Sequence, residues 1–308
     1  MKKYAKKTLM FLMIIGLMMG LTIPISADGT NSDEESYNEK LGSPIVVLGA
    51  ALSDSQKAET RELLQVDDPS KVEEFTVDGQ DLAKYIDGNP NSNMYSSVKI
   101  KREESGEGMN VNIVTPDNIT EVSTEMYANA LLTAGAEDVT VHVASPVKVS
   151  GHSALTGIYK AYDEEGVTFD KERMELANEE LDVATELADK EGMSQEKVSE
   201  LLTEIKKEIA DKNPATREDI EEIVKEQLDK LEISLSDKDR ELLIKLFDKM
   251  RELDIDFDKV RDQLEDITVT IKDKMDELGL DAGFWEKVGN FFREFFKAIG
   301  NFFKGLLE

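Results

Sequence analysis

The sequence predicts an α+β (or α/β) N-terminal domain followed by an all-α helical bundle or hairpin array with a terminal amphipathic helix. Three observations predict it. Up to about residue 162, short apolar or alternating runs interleave with helical periods. From about residue 163 strand signals nearly vanish and charged helical periods follow one another. The final segment, from Phe284 to Glu308, carries Phe-Phe pairs at helical spacing. The resulting division is 1–27 signal peptide, 28–43 disordered acidic leader, 44–162 α/β domain, 163–283 helical domain and 284–308 amphipathic helix. With 308 residues and 40% hydrophobic residues, the chain can sustain a core across two domains of ordinary size.

The N-terminus predicts export. Lys2, Lys3, Lys6 and Lys7 form a positive n-region before the apolar run Thr8 to Leu21. That run is shorter than the ~20 residues a membrane span needs. Ile25-Ser26-Ala27 offers a small residue for cleavage, expected after Ala27; an uncleaved anchor is the alternative. The expected location is secreted or cell-envelope associated. There is no cysteine, hence no acylation site, disulfide or thiolate metal site, a pattern that fits bacterial export. Removing residues 1–27 takes the formal net charge from -28 to -32. Such a surface repels phosphate backbones, so no nucleic-acid partner is expected, and it is repelled by anionic bilayers. Excess carboxylate also keeps an exported protein soluble.

In order, "PIVVLG" predicts a buried strand and "SDSQKAETRELLQV" a helix, with Ser53 and Gln56 at capping-box spacing. "KVEEFTV" alternates as a strand, and "DGQDLAKYIDG" is a short helix closed by Gly88. "SSVKIKREESGEGMNVNIVTP" predicts a β-hairpin turning at Ser105 to Gly108. "VSTEMYANALLTAG" is a helix stopped by Gly135, "EDVTVHVASP" a strand, and "SGHSALTGIYKAYDEEG" a helix. Helices are then expected near 168–191, 194–211, 215–232, 236–252, 256–278 and 282–307.

Three stretches together resemble the YpuA-like secreted proteins of Gram-positive bacteria, a family of unknown function. They are "VVLGAALSDSQK", "MYANALLTAGAEDVTVHVASPVKVSGHSALTGIYKAY" and "ISLSDKDRELLIKLFDKMRELDIDFDKVRDQL". The resemblance implies export and a two-part layout, and brings no catalytic residues with it.

Candidate chemistry is sparse. His142 and His152 are the two histidines; His142 alternates within a strand, and His152 lies near a helix start beside Ser150 and Ser153. No G-x-S-x-G or H-E-x-x-H motif occurs. Asp254, Asp256, Asp258, Asp262 and Glu265 match calcium-loop positions, but Lys259 stands where the turn needs Gly. The same residues also read as a helix start capped by Asp256 or Asp258. "VVLGAALS" and "VHVASPVKVSGHS" run strand to helix as anion cradles do, without a P-loop motif. No catalytic residue, metal or cofactor is therefore assigned, and no small-molecule ligand.

The tail is the clearest candidate. On a helical wheel Trp285, Val288, Phe291, Phe292, Phe295, Phe296, Ile299, Phe302, Phe303, Leu306 and Leu307 share an arc of roughly 160°. Glu286, Lys287, Asn290, Arg293, Glu294, Lys297, Asn301 and Lys304 fall opposite. Residues 284–308 sum to +1, while the rest of the cleaved chain sums to -33. Their stripe could cover a membrane surface, a protein partner or the bundle of the same chain. Covering even part of it would contribute several kcal/mol at ~25 cal/mol per Å². The expected function is a non-catalytic binding or structural role at the envelope. The alternative is an envelope hydrolase or other enzyme with a site between His142 and Ser153.

Overall fold

The structure is a computed structural model that describes residues 42–190 and 193–277. All of these belong to one compact unit, Asn38–Glu308. The expected signal peptide, nearly all of the expected leader and the expected C-terminal helix with its eleven stripe residues lie outside the described residues.

Five strands form one mixed sheet: β1 (Ile45–Gly49), β2 (Glu73–Val77), β3 (Ser97–Arg102), β4 (Met109–Ile113) and β5 (Val139–Ala144). Their order is β2-β1-β3-β5-β4. β1 and β2 are parallel, β4 and β5 are parallel, and β3 runs against both of its neighbours. Four helices connect or flank the strands: α1 (Asp54–Leu63), α2 (Gly79–Ile86), α3 (Thr124–Ala134) and α4 (Ser153–Glu164). Five more follow: α5 (Lys171–Lys190), α6 (Gln195–Lys212), α7 (Arg217–Lys230), α8 (Asp237–Glu252) and α9 (Arg261–Glu277). An α+β part followed by a series of helices is the architecture the sequence predicts.

The expected β-hairpin does not form. β5 inserts between β3 and β4, pairing antiparallel with one and parallel with the other. The cause lies in both the strand and the turn. Val139, Val141 and Val143 are fully buried, so β5 gains most from an interior position, covered by a strand on each side. The turn that would close the hairpin is instead folded over the start of β5. Gly106 and Gly108 take positive φ (93° and 78°), and their N–H groups both donate to Asp138 Oδ1 at 2.9 Å. A hairpin pattern in sequence fixes two strands and a turn; it does not exclude a third strand from entering between them.

The two sheet faces differ. Ile45, Val47, Val98, Ile100, Val139, Val141 and Val143 enter the main core. On the other face Val46, Leu48 and Ala144 meet Leu64 and Val66 at the end of α1 in a smaller cluster. β1 is thus buried on both faces, which explains its unbroken apolar run. The helix α1 has its predicted capping box at Ser53 and Gln56. In α2 the left-handed closing residue is Asp87 (φ 51°), one before the expected Gly88.

The helix α3 is the centre of the molecule. All residues from Glu125 to Ala134 are buried. Ser123 caps its start, Gly135 (φ 100°) ends it, and Arg173 donates to the carbonyls of Thr133 and Leu132 in its last turn at 2.9 and 3.3 Å. A helix covered on all sides would ordinarily be apolar throughout. This one carries Glu125, Asn129 and Thr133 at four-residue spacing, one stripe along its length. Each finds a partner on a later helix. Lys274 Nζ of α9 lies 2.6 Å from Glu125 Oε1, out of hydrogen-bond alignment, so the contact is ionic. Asn129 donates to Thr203 Oγ1 of α6 at 2.9 Å, and Thr133 donates to Glu180 Oε2 of α5 at 2.5 Å. Lys206 of α6 completes the set, donating to Glu180 Oε1 at 2.6 Å and to the Asn129 carbonyl at 2.7 Å. Its ammonium also faces the Phe257 ring at 5.7 Å. Lys206 and Glu180 have side-chain exposures of 0% and 1%, so no water can replace either partner.

Such a pair costs much to bury and more to break. Lys206→Met should leave Glu180 uncompensated and destabilise the fold by about 3–5 kcal/mol. Lys206→Met combined with Glu180→Gln should lose less than the single change, because the amide still accepts from Thr133. Urea denaturation of the three proteins measures this, and a double variant no more stable than the single would contradict it.

Candidate functional site

Four strands run the same way, so their carboxyl ends share one edge of the sheet with the start of β3. In α/β proteins that edge is the usual ligand position. A crevice of about 310 Å³ opens there, where β1 and β2 end. Ala50, Ala51, Asp78, Gln80, Asn91 and Asn93 line it. Two glycines bring the 88–96 loop in close. A Cβ on Gly49 would stand 2.4 Å from the Met94 carbonyl, and one on Gly79 2.3 Å from that of Pro90. The loop is further held by Ala51 N–H to the Met94 carbonyl (3.0 Å) and Gly49 N–H to Ser97 Oγ (3.0 Å).

The start of α2 enters this crevice already satisfied. Asp78 Oδ1 accepts from Gln80 N–H (2.8 Å) and Asp81 N–H (3.2 Å), while Asp81 Oδ2 accepts from Asp78 N–H (3.0 Å). Ser53 and Gln56 cap α1 in the same way, so the "VVLGAALS" turn has its own acceptor. In the other cradle α4 starts at His152 without a side-chain cap, and Gly151 (φ 111°) is packed under Tyr127, whose hydroxyl donates to the Gly151 carbonyl at 2.6 Å. The crevice offers amides, the Ser92 hydroxyl and the Asp78 carboxylate, which is engaged at the start of α2.

The two histidines are not brought together. His142 lies on the polar sheet face, 3.4 Å from Asn112 Nδ2. His152 Nε2 meets Thr185 Oγ1 (3.2 Å) and Asp182 Oδ1 (3.4 Å) on α5. Burial raises the Asp182 carboxyl, and His152 opposes that rise. Neither Ser150 nor Ser153 bonds to His152 among the described residues; its contacts tie α4 to α5, where the Thr185 hydroxyl donates to the Leu181 and Asp182 carbonyls. In the acidic loop Asp254 is left-handed (φ 52°), and Asp256 accepts from Asp258 N–H at 3.1 Å. Asp258 binds Arg261 at 2.8 Å, and Glu265 pairs with Lys207 at 3.1 Å. No three His, Asp or Glu side chains among the described residues come together as a metal site.

Sequence reasoning missed the polar stripe of α3 and its partners. A signal was present: Lys206 falls on the apolar arc of Leu202, Ile205 and Ile209, and Glu180 on that of Ala177, Leu181 and Ala184. Their environment is closed, so the pair orders the helices and meets no substrate. Desolvation lowers the Lys206 ammonium, and Glu180 opposes that fall.

One surface cluster ties α2 to α4. Lys84 Nζ and Tyr85 OH both donate to Asp163 Oδ2, at 2.6 and 3.0 Å. The Lys84 hydrogen bond holds the Asp163 carboxyl below its ordinary value, and burial pushes the Tyr85 hydroxyl up to about 12. A depressed carboxyl stabilises the fold above its unfolded value and loses that contribution as pH falls through the folded one. Asp163→Asn should therefore lower the melting temperature at pH 7, with a deficit that shrinks as pH falls through the depressed Asp163 value and the carboxyl takes up its proton. Melting curves across pH check this; an equal deficit at both extremes would contradict it.

Residues 48–267 match a family described as "Protein of unknown function (DUF1002)". "Uncharacterized protein YpuA" of Bacillus subtilis (strain 168) is 37% identical over 279 residues, covering 86% of this chain and 91% of that protein. No solved structure matches. With most of its length matched on both counts, the chain belongs to the DUF1002 family of proteins of unknown function.

Proposed function

We propose that the protein is exported and envelope-associated, with a non-catalytic binding or structural role, and that its C-terminal amphipathic helix contacts an outside surface. The observation that carries this reading is the fate of the other helices. The apolar faces of α3 to α9 all enter one core cluster. The exposed large hydrophobic among the described residues is Val269. That supports an outside surface as what the eleven apolar side chains of residues 284–308 cover.

A membrane surface suits the tail better than a protein partner. Its apolar residues are mostly aromatic, which favours an interface with one wet side. It carries +1 in a strongly acidic protein, so it is the segment that anionic lipid does not repel. The charges Glu286, Lys287, Arg293, Glu294, Lys297 and Lys304 interrupt the tail too often for a membrane span, so the proposed attachment is peripheral; no described helix is long and apolar enough to cross a membrane. Only a small electrostatic contribution is expected from +1, and binding should depend weakly on salt.

Residues 28–308 should co-sediment with phosphatidylcholine–phosphatidylglycerol vesicles, and residues 28–283 should stay in the supernatant. Equal behaviour of the two forms would sink the membrane reading. Loss of vesicle binding on replacing Phe291, Phe295 and Phe302 by Ser would place the contact on the aromatic stripe.

A further inference from the structure

We propose that the outer edge of β4 joins two copies of this chain, antiparallel, about a two-fold axis through Val111. β4 ends the sheet. Its inner side is used by β5: Val139 N–H donates to the Gly108 carbonyl at 3.1 Å, and Val114 N–H to the Val143 carbonyl at 2.8 Å. Alternate residues of a parallel strand bond to one neighbour, so Gly108, Asn110, Asn112 and Val114 serve β5. The N–H and C=O groups of Met109, Val111 and Ile113 then face outward. No hydrogen bond reaches them among the described residues.

The edges of the sheet are not treated alike. β2 is "EEFTV", follows a proline turn and has Glu74 paired with Arg61 at 2.7 Å. Charges and prolines of this kind block edge pairing. β4 is "MNVNI", with no charge and no proline. In a chain of net charge -28 an uncharged exposed edge is where two copies can approach without like charges meeting.

The strand also reads the same in both directions by residue class: apolar, Asn, Val, Asn, apolar. Antiparallel pairing about Val111 sets Val111 against Val111 of the second copy, Met109 against Ile113, and Asn110 against Asn112. All outward main-chain groups of both strands are then paired, in about six hydrogen bonds. Asn110 and Asn112 are exposed, so amide meets amide at the surface. Met109 and Ile113 are partly buried against the core, so the apolar faces join as well. Closed two-fold pairing consumes the edge and stops at two copies. The contact is independent of the membrane reading, since it uses the sheet alone.

Sedimentation equilibrium of residues 28–308 without lipid tests it. The unmodified protein should sediment as a dimer. Asn110→Lys with Asn112→Lys sets like charges opposite each other twice and should weaken the dimer by about tenfold or more. Asn110→Lys with Asn112→Glu sets opposite charges in the same places and should retain it. Both pairs replace exposed side chains, and unchanged melting curves would confirm that the fold is kept. A monomeric unmodified protein would overturn the proposal. So would two variants that dimerise equally, which would put any association elsewhere, the aromatic tail included.

Discussion

The polar stripe of α3 constrains everything packed around it. Glu125, Asn129 and Thr133 are buried on a helix with no solvent face, so each needs a partner from another element. α5 supplies Glu180, α6 supplies Thr203 and Lys206, and α9 supplies Lys274. Helices that were merely apolar could slide or rotate against α3 at small cost. With a buried Lys206–Glu180 pair in the interface, a shift of one turn would strand two charges away from water. The stripe therefore sets the register of the helical series on the sheet layer, while the surrounding Leu, Ile and Val side chains supply most of the burial energy.

Much of this was legible in the residues themselves. The strands β1, β2 and β5 and the ends of most helices follow directly from alternation, capping residues and closing glycines. Ser53, Ser123, Ser194, Thr216 and Ser236 all accept a hydrogen bond at a helix start. What escaped was non-local. A hairpin pattern at 96–116 is a statement about neighbours in sequence, and β5 enters between its arms from 25 or so residues further on. Lys206 and Glu180 look like ordinary surface charges unless each is weighed against the apolar arc it interrupts. The acidic run from Asp254 to Glu265 resembled a metal loop by spacing, yet Asp258, Glu265 and Asp256 are engaged by Arg261, Lys207 and a helix start. Carboxylate spacing alone does not distinguish metal ligands from caps when a third of the chain is charged.

The site at the carboxyl edge was legible only in part. The strand-to-helix turns were visible as cradles, but their internal caps were not. Ser53, Gln56, Asp78 and Asp81 already occupy the helix starts that an anion would seek. Most described helices therefore start on a cap of their own, whereas α4 starts at His152 without a side-chain cap. The aromatic stripe of 284–308 is the largest apolar stripe in the sequence outside the described residues, and it is there that the proposed contact is placed.

Trp285, the one tryptophan of the chain, lies in that stripe and reports on it alone. Its fluorescence in residues 28–308, titrated with vesicles carrying brominated acyl chains, gives the most direct measurement. Insertion of the stripe at the membrane surface predicts a shift of the emission to shorter wavelength together with quenching by the brominated chains. Emission that neither shifts nor is quenched at saturating lipid would contradict membrane contact by the tail.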